Sequence, residues 1–467
     1  MTTYFLCGIG GSGMFPLAQL LLTKGHTVKG SDRSYDQGKF PEKFKVLEKM
    51  GVVLCPQDGS GINSSVDFLV VSSAVEPSIP DVKASLELGI SIKKRAEILA
   101  ELFNAQKGIS VAGTSGKTTV TAMMGYVLSQ LDQEPTIVNG GMMKNFADQA
   151  MVMGKGAYFV TETDESDGSI SFFNPHIAVL NNIALDHKPL TELREIFKKY
   201  LEASSHAVIV NGDNAEAMDV LKQSSVKSAV IFAISNKDAD LQAQNLKPAQ
   251  AGISFEVYDK RSNKRYDCVL NVPGAHNVSN AMAVLATIKA LSLPLDKVCK
   301  VLEGFKGTKR RLEIVGKNIE RNITVYDDFG HNPDKITASL KALNEFDGRL
   351  LLFFQPHGFG PMKMMRKEIV EAFASNMTEE DILVMPEIYY AGGTAERSIS
   401  SKDLINDVQA AGRQAQFFET RQECGDFLTL SAHDGDRIVI MGARDDSLSA
   451  FAQNVLDSLT VAKVISA

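Results

Sequence analysis

Short apolar runs alternate with longer stretches of mixed apolar and polar residues along the chain. Near the start, this pattern predicts strands over residues 4–7, 27–30 and 68–72 and a helix over residues 14–24. Strands that alternate with helices in this way indicate a parallel sheet with crossover helices. We therefore expect the chain to begin with an α/β unit.

A similar alternation continues through the middle and the end of the chain. It predicts buried strands over residues 158–162, 177–181, 207–210, 323–326, 350–354, 382–385 and 438–441, and helices over residues 190–203 and 277–291. Residues 253–258 and 266–272 instead alternate apolar with polar positions, which is typical of half-exposed antiparallel strands. The middle of the chain is therefore expected to carry a small antiparallel sheet beside its parallel strands.

Composition and charge exclude several classes of protein. Hydrophobic residues make up 44% and charged residues 22% of the chain, which fits a folded globular protein. The formal net charge of −7 offers a nucleic acid no overall attraction, so no nucleic-acid partner is expected. The five cysteines form no C-x-x-C pair, which argues against a disulfide framework and a structural zinc site. Because no apolar run reaches about 18 residues, we expect a cytoplasmic protein without a membrane partner.

The strongest candidate for chemistry is a glycine-containing loop between a predicted strand and a predicted helix. The loop and the start of the helix read Gly113-Thr114-Ser115-Gly116-Lys117-Thr118-Thr119. In a loop of this kind, backbone N–H groups surround phosphates, a lysine reaches the terminal phosphates and a hydroxyl meets Mg²⁺. The usual pattern has a glycine five residues before Gly116, where this chain has Val111. A shortened loop occurs in only some ATP-using enzymes.

A second glycine-rich turn, Gly8-x-Gly10-x-x-Gly13, follows the first predicted strand, and Asp32 lies at the end of the next strand. This spacing is that of a dinucleotide fingerprint. A nicotinamide cofactor, another diphosphate such as a UDP-sugar, and a turn that only packs are all compatible with it. Because the chain carries a separate phosphate loop, we favour an ATP enzyme whose other substrate is a nucleotide conjugate, with an NAD-dependent oxidoreductase as a remote alternative.

Two further strand ends carry possible metal ligands. Residues 162–167 contain four carboxylates, and Asp186-His187 follows a later strand. A solvated acidic turn and a structural histidine would be the ordinary explanations. Carboxyl ends of parallel strands meet at one edge of a sheet, however, so one of these carboxylates and His187 could approach the phosphate loop and hold Mg²⁺ there.

Other polar clusters lie at helix starts and predicted domain junctions. Asn277 and Asn280 share a helix face and could read an adenine edge, although Asn277 could also be a simple N-cap. Arg310-Arg311 could be a phosphate clamp or a solvated basic turn. Two more polar segments, at residues 327–333 and 355–357, directly follow predicted buried strands.

Taken together, these segments resemble the Mur ligase family, ATP-dependent amide-forming enzymes of bacterial cell-wall synthesis. The resemblance covers essentially the whole chain and rests on residues 113–119, 162–167, 182–187, 274–280, 310–311 and 327–333. It implies an α/β fold of three domains at residues 1–105, 106–312 and 313–467. The first and third domains would be Rossmann-like, and the central one would be of the phosphate-loop ATPase type with a small antiparallel sheet.

The resemblance also implies an activity. The expected enzyme joins L-alanine to the carboxylate of UDP-N-acetylmuramate through an acyl phosphate, with ATP and Mg²⁺, in peptidoglycan synthesis. Residues 8–14 and 31–32 are similar to the alanine-adding branch and also to the murein tripeptide ligase branch. Residues 354–357 are more similar to the alanine-adding branch, and residues 140–146 and 181–182 to the tripeptide branch. The alternative amine substrate is therefore the peptide L-Ala-γ-D-Glu-diaminopimelate, and the protein would be a monomer or a homodimer.

Residue roles follow from the resemblance. Lys117, His187 and Arg310 would be catalytic, and Thr118, Glu162 and His187 would hold metal. ATP would contact Gly113, Thr114, Ser115, Gly116, Lys117, Thr118, Thr119, Asn277, Asn280, Arg310 and Asp328. The UDP-sugar would contact Gly10, Gly11, Ser12, Gly13, Met14, Ser31, Asp32 and Ser73, and the amino acid would face His331 and His357.

The chain departs from the family pattern at three places. Ser115 stands where both branches usually carry histidine, and Ala184 stands where they usually carry glutamate. Residues 358–363 lack the arginines that the alanine branch has after its histidine. Because that run lies where the incoming amino acid is expected, the amine substrate need not be alanine.

Overall fold

The computed structural model describes residues 1–11, 13–72, 78–184, 188–249, 252–390, 397–443, 445 and 447–465. Three predicted site residues, Ser12, Ser73 and His187, lie outside this part of the chain. None of the described helices is both long and apolar enough to cross a lipid bilayer.

The N-terminal region is a parallel α/β sheet, as the sequence predicts. Its strands are β1 (Thr3–Cys7), β2 (Thr27–Ser31), β3 (Val53–Cys55), β4 (Phe68–Val71) and β5 (Ser91–Lys94), and its helices are α1 (Met14–Thr23), α2 (Arg33–Asp36), α3 (Pro41–Lys49), α4 (Pro80–Glu87) and α5 (Arg95–Asn104). The five strands are parallel, in the order β3-β2-β1-β4-β5. Phe5 and Leu6 of β1 belong to different hydrophobic clusters, so both faces of the sheet are buried.

The middle of the chain forms a ten-stranded sheet. Its strands are β6 (Lys107–Ala112), β7 (Thr136–Met143), β8 (Gln149–Val152), β9 (Tyr158–Glu162), β10 (Ile177–Leu180), β11 (Ala207–Asn211), β12 (Ala229–Ala233), β13 (Leu241–Ala249), β14 (Gly252–Asp259) and β15 (Lys264–Leu270). The helices are α6 (Lys117–Gln130), α7 (Leu190–Glu202), α8 (Ala215–Gln223), α9 (Ala275–Ala290) and α10 (Leu295–Leu302), with 3-10 helices at Lys144–Phe146 and Ser169–Phe172.

The strand order in this sheet decides which loops become neighbours. The order is β15-β14-β13-β12-β11-β10-β6-β9-β7-β8, and β6 is parallel to both β10 and β9. The carboxyl ends of these three strands therefore lie side by side, which brings the phosphate loop, the acidic turn and the Asn181-Asn182 pair to one edge. The antiparallel pair β7–β8 was not predicted, because its residues show no clear alternation of apolar and polar positions.

The C-terminal region is a six-stranded sheet in the order β16-β17-β21-β18-β19-β20. Its strands are β16 (Glu313–Asn318), β17 (Ile323–Asp328), β18 (Leu350–Gln355), β19 (Ile382–Met385), β20 (Gln414–Phe417) and β21 (Arg437–Gly442), and its helices are α11 (Pro333–Leu343), α12 (Phe359–Met364), α13 (Arg366–Ala374), α14 (Ser401–Ala410), α15 (Arg421–Ser431) and α16 (Leu448–Ile465). Only the edge strand β16 is antiparallel to its neighbour among the described pairings. Leu351 and Leu352 pack into separate clusters on the two faces.

The described chain divides into two compact units. The first comprises Met1–Gln242, Tyr258–Tyr266 and Asn280–Val301, and the second comprises Ala243–Val257, Asp267–Ser279 and Leu302–Ala467. The two predicted boundaries, after residues 105 and 312, stay a prediction.

Candidate functional site

The phosphate loop joins β6 to α6 and depends on two glycines with left-handed backbone. Gly113 has φ of +132° and Gly116 has φ of +84°, a region that other residues rarely adopt. Helix α6 begins at Lys117, directly after Gly116. The first N–H groups of a helix have no acceptor within it, so the loop presents donors to an anion.

Two asparagines at the end of β10 hold the loop by its backbone. Asn182 Oδ1 accepts hydrogen bonds from Ser115 N at 2.8 Å and Thr114 Oγ1 at 2.9 Å, and Asn182 Nδ2 donates to Ser115 O at 3.0 Å. Asn181 Nδ2 donates to the same carbonyl at 3.0 Å. The backbone N–H and C=O of Ser115 are thus both held, so these asparagines fix the two successive peptide groups of the loop.

Gly116 lies too close to these amides for any side chain. A Cβ there would be 2.3 Å from Asn181 Nδ2 and 2.7 Å from Asn280 Oδ1. Asn280 accepts from Asn181 Nδ2 at 3.1 Å and is buried, so it packs against the phosphate loop. The side-chain Nδ2 of Asn277 donates to Pro273 O at 2.7 Å, a bond across the first turn of α9.

Lys117 is the buried cation of the loop. Its Nζ donates to Gly113 O at 2.7 Å and forms an ion pair with Glu165 Oε2 at 2.8 Å, with the Glu165 side chain only 4% exposed. Burial by itself lowers the pKa of the ammonium, but Glu165 and its acidic neighbours outweigh this effect and raise it. Lys117 therefore stays protonated at neutral pH, as a group that neutralises phosphate must.

Thr118 and Glu162 meet as the sequence predicts. Thr118 Oγ1 donates to Glu162 Oε2 at 2.9 Å. A Cβ on Gly140 of β7 would lie 1.9 Å from Glu162 Oε1, so a glycine is needed there to seat the carboxylate. A hydroxyl and a carboxylate are oxygen donors that suit Mg²⁺. Within the described ranges no three His, Cys, Asp or Glu side chains converge as a metal site, and the third predicted ligand, His187, is outside them.

The N-terminal glycine turn is organised differently. Asp32 Oδ2 accepts from Gly10 N at 2.9 Å and Oδ1 accepts from Ser34 N at 2.8 Å, so both carboxylate oxygens bind backbone. Gly11 N donates to Gly8 O at 2.9 Å. At the start of α1, Phe15 N already donates to Gly11 O at 2.9 Å and Pro16 has no N–H, so Gly13 N and Met14 N are the donors that the described part of this turn offers an anion.

Arg95 is a candidate that the sequence analysis missed. A Cβ on Gly13 would lie 3.0 Å from both Cδ and Nε of Arg95, so this side chain lies directly against the turn. Arg95 is the first residue of α5, and it forms no ion pair with another described residue. No motif marks it, because it approaches Gly13 only through the packing of α5 beside α1. The predicted contact Ser31 instead donates its hydroxyl to Asp81.

Arg310 and Asp328 make many contacts within the C-terminal region. The Arg310 guanidinium donates to Asp327 Oδ1 at 3.2 Å, to Gly442 O at 2.8 Å and to Asp445 O at 3.2 Å. Asp328 accepts from Leu312 N at 3.0 Å, Gly330 N at 3.1 Å and Ser339 Oγ at 2.7 Å. These bonds position the end of β17, and the nucleotide roles expected of both residues stay predictions.

The structure brings His331 and His357 together, with ring centroids 5.4 Å apart. The Nδ1 of His331 lies 2.8 Å from Phe329 O. Burial, with help from the nearby Lys335 charge, lowers the pKa of His331 to about 3. His331 is thus neutral at physiological pH. A neutral imidazole has one acceptor nitrogen, which can accept a hydrogen bond from an amine.

Known proteins match the chain along nearly its whole length. The Mur ligase family catalytic domain matches residues 3–107, the Mur ligase middle domain matches residues 111–288, and the glutamate ligase domain of the Mur ligases matches residues 310–444. A UDP-N-acetylmuramate–L-alanine ligase of Sulfurihydrogenibium sp. is 33% identical over 444 residues, which is 93% of each chain.

The chain belongs to the Mur ligase family. A solved UDP-N-acetylmuramate–alanine ligase of Thermotoga maritima superposes with a TM-score of 0.79 at 26% identity, over 99% of this chain and all of the other. A murein peptide ligase of Psychrobacter arcticus shares the fold, with a TM-score of 0.69 at 23% identity over 98% and 99% of the two chains. The expectations of a Mur-type α/β fold with three domains and of an ATP-dependent ligase are therefore confirmed.

Proposed function

We propose that this protein uses ATP to join the amine of an amino acid or short peptide to the lactyl carboxylate of UDP-N-acetylmuramate. A carboxylate is a poor electrophile, so phosphorylation by ATP must first supply a leaving group. The amine then attacks the acyl carbon of the resulting acyl phosphate, and inorganic phosphate leaves. The names of the relatives support the sugar substrate, and the phosphate loop supports the use of ATP.

The observation that carries the proposal is the pairing of the loop with the acidic turn. Lys117 and Thr118 contact Glu165 and Glu162, respectively, at hydrogen-bond distance. In our proposal Lys117 neutralises the transferring phosphoryl group, and Thr118 and Glu162, with His187, hold Mg²⁺. The metal supplies positive charge that stabilises the negative charge developing on the phosphoryl oxygens.

In this proposal, other residues hold the phosphate loop in place or bind the sugar nucleotide. Asn181, Asn182 and Asn280 hold the loop. Because Thr114 N and Ser115 N already donate to Asn182, we propose that the N–H groups from Gly116 to Thr119 face phosphate. For the UDP-sugar we propose the start of α1 and Arg95 as the diphosphate contacts, since a diphosphate needs both N–H donors and a cation. His331 and His357 face the amine substrate in this proposal.

The test is a phosphate-release assay with UDP-N-acetylmuramate, ATP, Mg²⁺ and one amine at a time. We expect ADP and phosphate to form over repeated turnovers only when an amine is present, because the first step gives ADP and an acyl phosphate, and the acyl phosphate then needs a nucleophile. A screen of the twenty amino acids and of L-Ala-γ-D-Glu-diaminopimelate identifies the amine. Absence of amine-dependent turnover with all of them would disprove the proposed function.

A further inference from the structure

Three hydroxyl groups lie buried in the part of the ten-stranded sheet that carries the phosphate loop. They belong to Ser110 in β6, Thr163 directly after β9 and Tyr200 in α7, which are 0%, 1% and 3% exposed. Tyr200 packs in an apolar cluster that also contains Ala112 and Leu180. Burial of a hydroxyl is unfavourable unless it finds a hydrogen-bond partner, so the partners of these groups show what they hold in place.

The three hydroxyls are bonded to one another and to the backbone of β6. Ser110 Oγ lies 2.9 Å from Thr163 Oγ1. Tyr200 OH donates to Ser110 O at 2.7 Å and lies 3.1 Å from Ser110 Oγ. Burial raises the pKa of the Tyr200 phenol, so Tyr200 keeps its proton and remains a donor at neutral pH. A chain of hydrogen bonds therefore joins α7, β6 and the residue that follows β9.

Strand β6 holds Thr163 by its backbone as well. Thr163 N donates to Val111 O at 2.9 Å, which continues the contact between β6 and β9 one residue beyond the end of β9. The N–H and the hydroxyl of Thr163 are thus both bound to residues of β6. Because a β-branched side chain has few rotamers, these two bonds fix the backbone together with the side chain. The acidic turn therefore leaves the sheet from a fixed residue.

Thr163 lies between the two carboxylates that meet the phosphate loop. Glu162, the residue before it, accepts from Thr118 Oγ1 at 2.9 Å. Glu165, two residues after it, forms the ion pair with Lys117 at 2.8 Å. A shift of the backbone at Thr163 would move both carboxylates, so one residue controls the contact on the metal side and the contact on the lysine side.

Apolar side chains could fill the same space without any of these hydroxyls. Valine has nearly the shape of threonine, and phenylalanine has nearly the shape of tyrosine. Apolar contact is non-directional, whereas a hydrogen bond restricts both distance and angle. The network is therefore suited to setting the position of the acidic turn, beyond what packing alone would provide.

We propose that Ser110, Thr163 and Tyr200 are positioning residues for phosphoryl transfer. Their hydrogen bonds hold the acidic turn in the place from which Glu162 and Glu165 both reach the phosphate loop. They act through these two carboxylates and do not themselves touch the substrates. This inference rests on the proposed use of ATP and Mg²⁺, because it assigns further residues to the same site.

Two substitutions at one position separate the hydroxyl of Thr163 from its shape. Thr163→Val keeps the shape and removes the hydroxyl, whereas Thr163→Ser keeps the hydroxyl. We expect Thr163→Val to lower kcat about tenfold and to raise the Mg²⁺ concentration for half-maximal rate about tenfold, because residues behind a metal ligand affect metal binding on this scale. Thr163→Ser should stay within about twofold of wild type in both measurements.

Binding is measured separately from turnover. Calorimetric titration with MgATP, without sugar nucleotide or amine, should show affinity weakened by Thr163→Val and retained by Thr163→Ser. The matched control is Thr287→Val in α9, because Thr287 is also fully buried and its hydroxyl donates to Ala283 O at 2.9 Å within its own helix. This control should keep the wild-type Mg²⁺ dependence and MgATP affinity. Equal weakening in Thr287→Val and Thr163→Val would overturn the inference.

A double-mutant cycle tests whether the hydroxyls act as one network. Ser110→Ala and Thr163→Val remove the two ends of one hydrogen bond, so the double variant should lose no more than about threefold beyond the more impaired single variant. Tyr200→Phe, which removes only the phenol oxygen, should shift the Mg²⁺ dependence in the same direction. If Thr163→Val does not fold, Ser110→Ala and Tyr200→Phe carry the same test against Thr287→Val.

The outcomes for this inference and for the proposed function are distinguishable. Losses that multiply in the double variant, or a Thr163→Ser variant as impaired as Thr163→Val, would overturn the positioning role and leave the proposed function intact. Absence of amine-dependent turnover in the wild-type enzyme would overturn the proposed function. The MgATP titrations would then still decide whether the three hydroxyls position the acidic turn.

Discussion

Two glycine-rich turns in the first unit have similar sequences and different surroundings. The turn from Gly8 to Gly13 joins β1 to α1, and the loop from Gly113 to Gly116 joins β6 to α6. In the first, the Asp32 carboxylate accepts a hydrogen bond from Gly10 N, and the cation that lies against Gly13, Arg95, comes from another helix. In the second, the cation is the next residue of the loop itself, Lys117, held by a carboxylate.

The comparison shows that glycines create room but do not select the ligand. Both turns lack side chains where backbone and neighbours come close, and both end at a helix N-terminus that favours anions. The partners that arrive from distant segments decide whether the turn suits a terminal phosphate with metal or a diphosphate without one. Substitutions at these partners should therefore separate the two turns.

The largest effect is expected for Lys117→Met. Loss of the loop cation should lower kcat by on the order of 10³-fold, because no other group replaces its charge on the transferring phosphoryl group. Binding of UDP-N-acetylmuramate, measured by calorimetry, should stay within about twofold of wild type. Weakened binding of the sugar nucleotide by Lys117→Met would show that the two turns do not act separately.

Glu165→Gln should destabilise the nucleotide-free protein by about 3 kcal/mol, because it leaves Lys117 buried without its counter-ion. Excess ATP should raise the melting temperature of this variant more than that of wild type, since phosphate then supplies the missing charge. The matched control is Glu101→Gln, which breaks the exposed Lys93–Glu101 pair and should cost less than about 1 kcal/mol. Equal losses of stability in the two variants would contradict the assignment of Glu165.

Arg95→Met should weaken binding of UDP-N-acetylmuramate by about tenfold, equivalent to about 1.4 kcal/mol, because a diphosphate would lose its charged partner. ATP-induced stabilisation should be unchanged. Lys24→Met removes an exposed positive charge near the other end of α1 and serves as the control, with no change in either measurement expected. A similar loss in both variants would mean that only net charge matters.

The smallest effect is expected for Ser115→Ala. The asparagines contact the backbone of Ser115 rather than its hydroxyl, so kcat/KM should stay within about twofold of wild type. A loss above tenfold in the steady-state assay would show that the hydroxyl itself takes part in the reaction.

Much of the site could be predicted because its residues follow strands that the apolar pattern already reveals. The contact of Thr118 with Glu162 follows from two strand ends meeting at one sheet edge. Glu165 could not be singled out among the acidic residues of its turn, since only the backbone after β9 decides which carboxylate points to Lys117. Arg95 carried no signal at all, because nothing in the local sequence shows which helix packs beside Gly13.

The sequence by itself determined the alternation of buried strands with helices and the positions of the glycine turns between them, but not every strand, since β7 and β8 were not predicted. These are local properties, set by the periodicity of burial and by backbone conformations that only glycine adopts readily. The tertiary structure alone decided that Lys117 pairs with Glu165 and that Asn182 fixes Ser115. These partners lie 48 and 67 residues apart in the chain, and they meet only because β9 and β10 flank β6 in the folded sheet.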